Sequence, residues 1–389
     1  MTKTKRINLA LQGGGAHGAF TWGVLDHLLE QETLEICWIS AASAGAINAV
    51  ALASGMAQGG REGARAKLRQ VWKAIYDAGV PDFIRLNPLL ASLSAMPAVA
   101  GLSKMFSPYE FNPMGFDPLR KLLTDTIDFD HLRSASPIEL LIAATDVSTG
   151  RPRFFHRAEM TVDAVLASAC LPTLHHAVEI EGRAYWDGGF SANPDLVHLA
   201  LQSPVNDTLI VLLNPTHRQG TPTNLEDIAS QTNRLTFNAP LMRDIQVIEA
   251  VREAEGGWLQ RKFKTPSRLS PLATHRFHLI EAGRHASSLP AGSKMKPDWV
   301  SSPTCTGLAA PRPTNGSTAH ARASAAKAQS ISKPIFYPTC RALPWPHRAQ
   351  SQPFPPTMPT LNSPRLRPQP HLASRSHETG IPFADRARQ

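Results

Sequence analysis

No stretch constrains this chain more than Ile36–Gly60, which runs for 25 residues without a single charge. Such a run either crosses a membrane or is buried in a protein core. A spanning helix needs roughly 20 predominantly apolar residues. This run is mostly Ala, Ser and Gly and is interrupted by Asn48. It reads as a buried strand, Ile36–Ile39, a tight turn over Ser40–Gly45, and a small-residue helix from Ala44 to about Ser54.

The rest of the first 300 residues repeats this alternation. Ile7–Leu11 is a short buried strand, followed by a loop over Gly13–Gly18. Ala19–Glu30 is a helix with Phe20, Val24, Leu25, Leu28 and Leu29 on one face, and Leu68, Val71, Trp72 and Ile75 mark another at helical spacing. Glu139–Ala144, Thr208–Leu213 and Arg276–Ile280 read as strands, and Ala177–Ile180 and Arg183–Trp186 as a hairpin around Glu181-Gly182. Strands alternating with helices predict an α/β fold, sheet inside and helices outside. Pro81–Pro113, rich in Leu, Met, Phe, Pro and Ser, has two readings: a cap over an apolar groove, or an irregular insertion packed on the core.

Charge divides the chain near Trp299. The whole chain carries 40 Lys and Arg against 31 Asp and Glu, a formal +9. Residues 301–389 hold 11 of those bases, only two acids (Glu378 and Asp385) and 15 of the 33 prolines, while residues 1–300 hold 29 bases and 29 acids. The basic balance belongs to the tail, and the neutral body has no field to draw nucleic acid. The expected organisation is one domain over 1–299, with 81–113 as the candidate cap, and a Pro/Ser/Arg-rich segment over 300–389. That segment cannot bury enough apolar surface to offset its ordering entropy and reads as disordered. Its basic charge also allows an arm for anionic lipid or nucleic acid, and its shortage of acids and abrupt onset fit a frameshifted 3′ end equally well. Cys37, Cys170, Cys305 and Cys340 show no CxxC or metal-finger spacing and read as buried or incidental thiols. The first twelve residues offer only a five-residue run, Ile7–Leu11, short of a secretory h-region, so the expected location is cytoplasmic.

Three motifs carry chemistry. Ala41-Ala42-Ser43-Ala44-Gly45 lies between a buried strand and a small-residue helix, where a sharp turn lifts a serine hydroxyl out of the sheet. The usual pattern is G-x-S-x-G. Ala41 departs from it, at little cost if its φ is negative. Gly13–Gly18 exposes backbone N–H groups at a helix start and can hold an anion, an oxyanion included. Gly13, Gly15 and Gly18 also fit G-x-G-x-x-G, with Glu35 near the spacing of a dinucleotide's ribose ligand. Taken alone, this loop fits acyl transfer and dinucleotide binding alike. The serine turn after the next strand distinguishes them, since a dinucleotide site has no use for it. Asp187-Gly188-Gly189 follows the hairpin and, in isolation, is a turn.

In this order the three motifs resemble the patatin-like phospholipases, as do the words LALQGGGAHGAF (Leu9–Phe20), ATDVSTG (Ala144–Gly150) and ASACLPTLHHAVEIEGRAYWDGG (Ala167–Gly189). The resemblance covers roughly 5–299. It implies a three-layer α/β/α fold with a mostly parallel central sheet, and a lipid acyl ester hydrolase. It further implies a Ser–Asp dyad of Ser43 as nucleophile and Asp187 as base. Oxyanion donors would come from Gly13, Gly14, Gly15 and Ala44, with Gly18, Gly45, Gly188 and Gly189 shaping the turns. No metal or organic cofactor is implied, and the partner is a lipid ester met by peripheral contact with a membrane or lipid aggregate. Two other readings remain: a dinucleotide-binding oxidoreductase, and a catalytically decayed lipid-binding relative. His175 and His176 are the candidates for a conventional histidine base. His17 reads as a loop-surface residue or an anion contact, and Asp146 as a structural turn acid.

Overall fold

The computed structural model describes residues 4–77, 107–217, 220–255, 268–282 and 341–342. Most of the candidate cap (residues 81–106) and, apart from Arg341 and Ala342, all of the tail lie outside the described residues. Five strands run parallel through the centre of the sheet. They are β1 (Lys5–Leu11), β2 (Leu34–Ala41), β3 (Glu139–Asp146), β7 (Asp207–Leu212) and β8 (Arg276–Glu281), side by side as β3-β2-β1-β7-β8. β1 therefore lies between β2 and β7. The chain winds outward from it in both directions, and the glycine loop after β1 sits at the switch point, where open α/β sheets bind ligands.

The edges are antiparallel, and their register matters. β4 (Pro152–His156) pairs with β3 along Leu141–Thr145, and β2 pairs with β3 along Glu139–Ile142. Because these pairings overlap, they occupy opposite edges of β3. β6 (Arg183–Asp187) pairs with β3 at Ala144–Asp146, overlapping β4 again, so it lies on the edge used by β2, just past the end of β2. β6 thus descends towards the point where β2 stops. β5 (Val178–Ile180) completes the expected hairpin, and β9 (Arg341–Ala342) pairs with β8.

Period-two alternation along β1 sends its side chains to two layers. Leu9 and Leu11 join a core with Leu25, Ile39, Val50, Leu52, Leu68, Leu123 and Ile142. That side is covered by α1 (Gly18–Leu29), α2 (Ala44–Asp77), α4 (Pro118–Thr126), α5 (Phe129–Ala135) and α6 (Val162–Ser168), with the single turn α3 (Pro108–Phe111) preceding α4. On the other side Asn8 bonds the Val205 carbonyl, and Gln12 reaches α8 (Leu225–Glu255), which packs with α7 (Val197–Gln202) and α9 (Ser270–Thr274). Each fully buried Leu, Ile or Val contributes about 1.5–3 kcal/mol, while Ala46, Ala49, Ala51 and Ala53 of the small-residue run are fully buried between sheet and helices. No helix among the described residues is long and apolar enough to cross a membrane.

α2 is longer than the expected Ala44–Ser54. It continues through the buried Asn48 and breaks at Gly59 (φ −158, ψ 27) and Gly60 (φ 60, ψ −144). The chain then doubles back as an αα-hairpin whose second half carries Leu68, Val71, Trp72 and Ile75. Two contacts define the hairpin: a Cβ on Gly55 would lie 2.4 Å from the Ala64 Cα, and Trp72 Nε1 donates to Asn48 Oδ1 at 2.9 Å. Asn48 in turn donates to the Gly18 carbonyl at 3.1 Å, tying the hairpin to the end of the glycine loop.

Candidate active site

Ser43 stands where β2 turns into α2. Its φ is 55, in the left-handed region, a conformation that costs a non-glycine residue roughly 1–2 kcal/mol. Its N–H donates to the Ser168 carbonyl at 3.1 Å and the Ser168 hydroxyl at 3.0 Å, so α6 holds the turn from behind. Ala41, by contrast, is the buried last residue of β2, paired with Leu11 and Ile142, and its φ is not positive. Alanine in place of the motif's first glycine therefore introduces no strain. Gly45 does need to be glycine, because a Cβ there would lie 2.3 Å from the Leu11 carbonyl oxygen.

Register brings the second residue to the first. Ala41 pairs with Ile142, and two residues further along β3 Ala144 pairs with Asp187. Asp187 therefore arrives at the level of Ser43, on the same edge of β3. Its backbone is fixed on both sides: its N–H donates to the Cys170 carbonyl at 2.7 Å, and its carbonyl accepts from Thr145 Oγ1 at 2.8 Å. Gly188 then crosses so tightly over β3 that a Cβ would lie 2.0 Å from the Ala143 oxygen. Gly189 N–H donates to Asp187 Oδ1 at 2.7 Å. The other carboxylate oxygen, Oδ2, is buried without a partner in strict hydrogen-bond geometry. Burial pushes the Asp187 carboxyl up to about 7, and the Ser43 side chain and the Gly189 N–H pull it partly back. Ser43 is thus the polar side chain that this carboxylate feels most strongly.

The glycine loop closes the third side. Gly13 faces Ser43 so closely that a Cβ would lie 2.7 Å from the Ser43 Cβ. Its N–H is taken by Asn193 Oδ1 at 2.8 Å. The N–H groups of Gly14 and Gly15 meet no acceptor among the described residues. Ala44 is the first residue of α2, so its N–H has no partner within the helix. Gly18 opens α1 beneath this loop, its Cα facing Ala44 and Trp72.

Other candidates fall elsewhere. Glu35 lies near the start of β2, away from the glycine loop, and pairs with Arg6 at 3.4 Å. A dinucleotide's ribose would need its carboxylate at the opposite end of that strand. His176 stacks on Tyr109 and bonds the Pro108 carbonyl, and burial lowers the His175 pKa; neither imidazole bonds Ser43 or Asp187. His17 is buried, which corrects its reading as a loop-surface residue. Asp146 closes the turn after β3 by accepting from Thr149 N–H at 2.9 Å, as expected of a structural acid. Among the described residues no group of three or more His, Cys, Asp or Glu could hold a metal ion.

Sequence reasoning missed Gln12, Thr145, Ser168, Asn193 and Asn238, buried polar residues around the site. Their only signal was polarity inside apolar or glycine-rich surroundings.

The fold and site define a doubly wound α/β protein with a half-buried serine on a strained strand-to-helix turn. Residues 9–200 match the family model of the patatin-like phospholipases. Solved structures with similarity include VipD from Legionella pneumophila, 13% identical, covering 78% of this chain and 66% of that one, with a TM-score of 0.34. ExoU in complex with SpcU, from the type III secretion system of Pseudomonas aeruginosa, is 20% identical over 63% of this chain and 53% of that one, with a TM-score of 0.27. The chain thus spans about half to two thirds of those proteins. No curated protein matches it.

Proposed function

We propose that the protein hydrolyses lipid acyl esters through a Ser43–Asp187 dyad and a covalent acyl-enzyme. The observation that carries this reading is a fully buried carboxylate, raised to about 7, whose principal side-chain neighbour is the strained Ser43 hydroxyl. A carboxylate at its usual pKa is too weak a base for a serine, and a value near neutrality matches it to the work.

Ser43 Oγ attacks the ester carbonyl carbon as its proton passes to Asp187. The Gly14, Gly15 and Ala44 N–H groups receive the oxyanion. On collapse, the ester bond breaks and Asp187 returns the proton to the leaving alcohol. Water then gives a proton to Asp187 and attacks the acyl-Ser43 carbonyl, releasing the fatty acid and restoring the serine. In this scheme Gly13 spaces the loop from Ser43 without donating, because Asn193 occupies its N–H. The substrate lies in a membrane or lipid aggregate that the protein contacts peripherally.

The test is fluorophosphonate labelling of wild type, Ser43→Ala and Asp187→Asn beside a short-chain ester assay. Labelling and turnover should vanish in both variants. A folded wild type that neither labels nor turns over overturns the hydrolase reading and leaves a decayed lipid-binding relative.

A further inference from the structure

Two consecutive residues of α8, Phe237 and Asn238, receive side-chain contacts from both halves of the site. Gln12 Nε2 donates to Asn238 Oδ1 at 2.9 Å, while Gln12 Oε1 accepts from the Leu213 and Asn214 N–H groups at 2.9 and 2.8 Å. Asn238 Nδ2 donates to the Pro215 carbonyl at 3.1 Å. Asn193 accepts from Gly13 N–H and donates to the Phe237 carbonyl at 3.0 Å. Residues 12 and 13 immediately precede the proposed oxyanion donors. On the other half, the Phe237 ring presses on Gly189, where a Cβ would lie 2.5 Å from it, and packs against Phe190 with ring centroids 4.9 Å apart. Gly189 is the residue whose N–H holds Asp187.

We infer that Phe237 and Asn238, beyond the family-matched span of 9–200, are positioning residues that set the oxyanion loop and the Asp187 turn against each other around Ser43. Gln12, Asn193 and Asn238 are all buried, and each amide both donates and accepts. A buried amide network satisfied in this way fixes one geometry. Its three members converge on the loop beside Ser43. Removing Asn238 leaves Gln12 Nε2 without its acceptor, so the amide beside this loop is held through Oε1 alone. Removing the Phe237 ring uncovers Gly189 and opens the Asp187 turn to water. The groups that face Asp187 are the Ser43 hydroxyl, the Gly189 N–H and, from the turn after α6, the Cys170 thiol.

This inference rests on the dyad reading, and the experiment separates the two. Wild type, Asn238→Ala, Phe237→Ala and Phe237→Leu are compared by kcat and KM on a short-chain nitrophenyl ester across pH, by fluorophosphonate labelling rate and by thermal melting. Asn238→Ala should lower kcat about 10–100-fold while KM changes less than about twofold. Its pH midpoint should stay in place. Phe237→Ala should move the midpoint down by about one pH unit as Asp187 gains solvent. Phe237→Leu, which keeps the apolar cover, should retain the wild-type midpoint. Unchanged kcat and pH midpoint in folded variants overturn the positioning role, as does a loss of activity that only tracks the loss of folded protein in all three. A folded wild type without labelling overturns the dyad reading, and this inference with it.

Discussion

Burial raises Asp187 from a usual 3.8 to about 7, and the shift acts on activity and stability with opposite signs. The base must be ionised to take the Ser43 proton, so kcat/KM should rise with pH about a midpoint near 7. Stability should move the other way. Below the unfolded pKa the carboxyl is protonated in both states. Between about 4 and 7 the folded state holds a proton that the unfolded chain has released, so stability falls as pH rises through this window. Above it the fold carries a buried charge. Asp187→Asn removes the titration. It should abolish turnover, reduce the pH 4–8 dependence of the melting temperature, and gain about 2–4 kcal/mol over wild type at pH 8. Melting and ester hydrolysis measured over the same pH range check both halves. A variant less stable than wild type at pH 8 would show that Asp187 is not desolvated in the resting fold.

At the scale of elements, the αα-hairpin of α2 carries both Ser43, just before its first turn, and Trp72, which reaches back over the glycine loop through Asn48. Its two halves meet backbone to backbone where Gly55 faces Gly63 and Ala64. A Cβ on Gly55 would stand 2.5 Å from the Gly63 oxygen, and main chain cannot yield as a side chain does. Gly55→Ala should therefore destabilise by about 1–3 kcal/mol. Chemical denaturation measures this, and probe labelling per folded molecule should stay near wild type; a neutral substitution would mean that the halves are not packed this closely. The strands of the parallel centre were legible in the sequence because each is a short apolar run. So was the first helix, whose apolar face repeats at i, i+3, i+4. β4 was not, since Pro152-Arg153-Phe154-Phe155-His156 does not alternate. Nor was α8, which has Pro240 inside it and exposes Ile228, Leu235 and Met242 away from its buried face. Such a second apolar stripe blurs any single periodicity. Ser43 and Asp187 were legible because their neighbours must be small. The amides that brace them were not. Gln12 meets Asn238 226 residues away, and Gly13 meets Asn193 180 residues away, and no local pattern encodes such partners.

The whole molecule extends beyond its family-matched span. That span ends at residue 200, yet β1, which delivers the glycine loop, pairs with β7 from Asn8↔Thr208 to Leu11↔Val211. A chain ending at Gln202 would leave β1 as an open edge inside what should be the sheet's centre. It would also leave Gln12 without Leu213, Asn214 and Asn238, and buried polar groups deprived of partners cost about 1–3 kcal/mol each. An exposed central edge is a template for aggregation. A chain ending at Trp299 keeps β7, α8, α9 and β8 and loses from the described body only the two-residue β9 on the outer edge of β8. Expression of the two truncated chains should separate the contributions: insoluble protein from the shorter, and from the longer a soluble protein that labels at Ser43 and melts within about 3 °C of the full chain. Labelling by the shorter chain would overturn the role of β7 and α8 in shaping the site. Aggregation of the longer would show that the tail packs on the body, and its compositional reading as disordered or out of frame would fall.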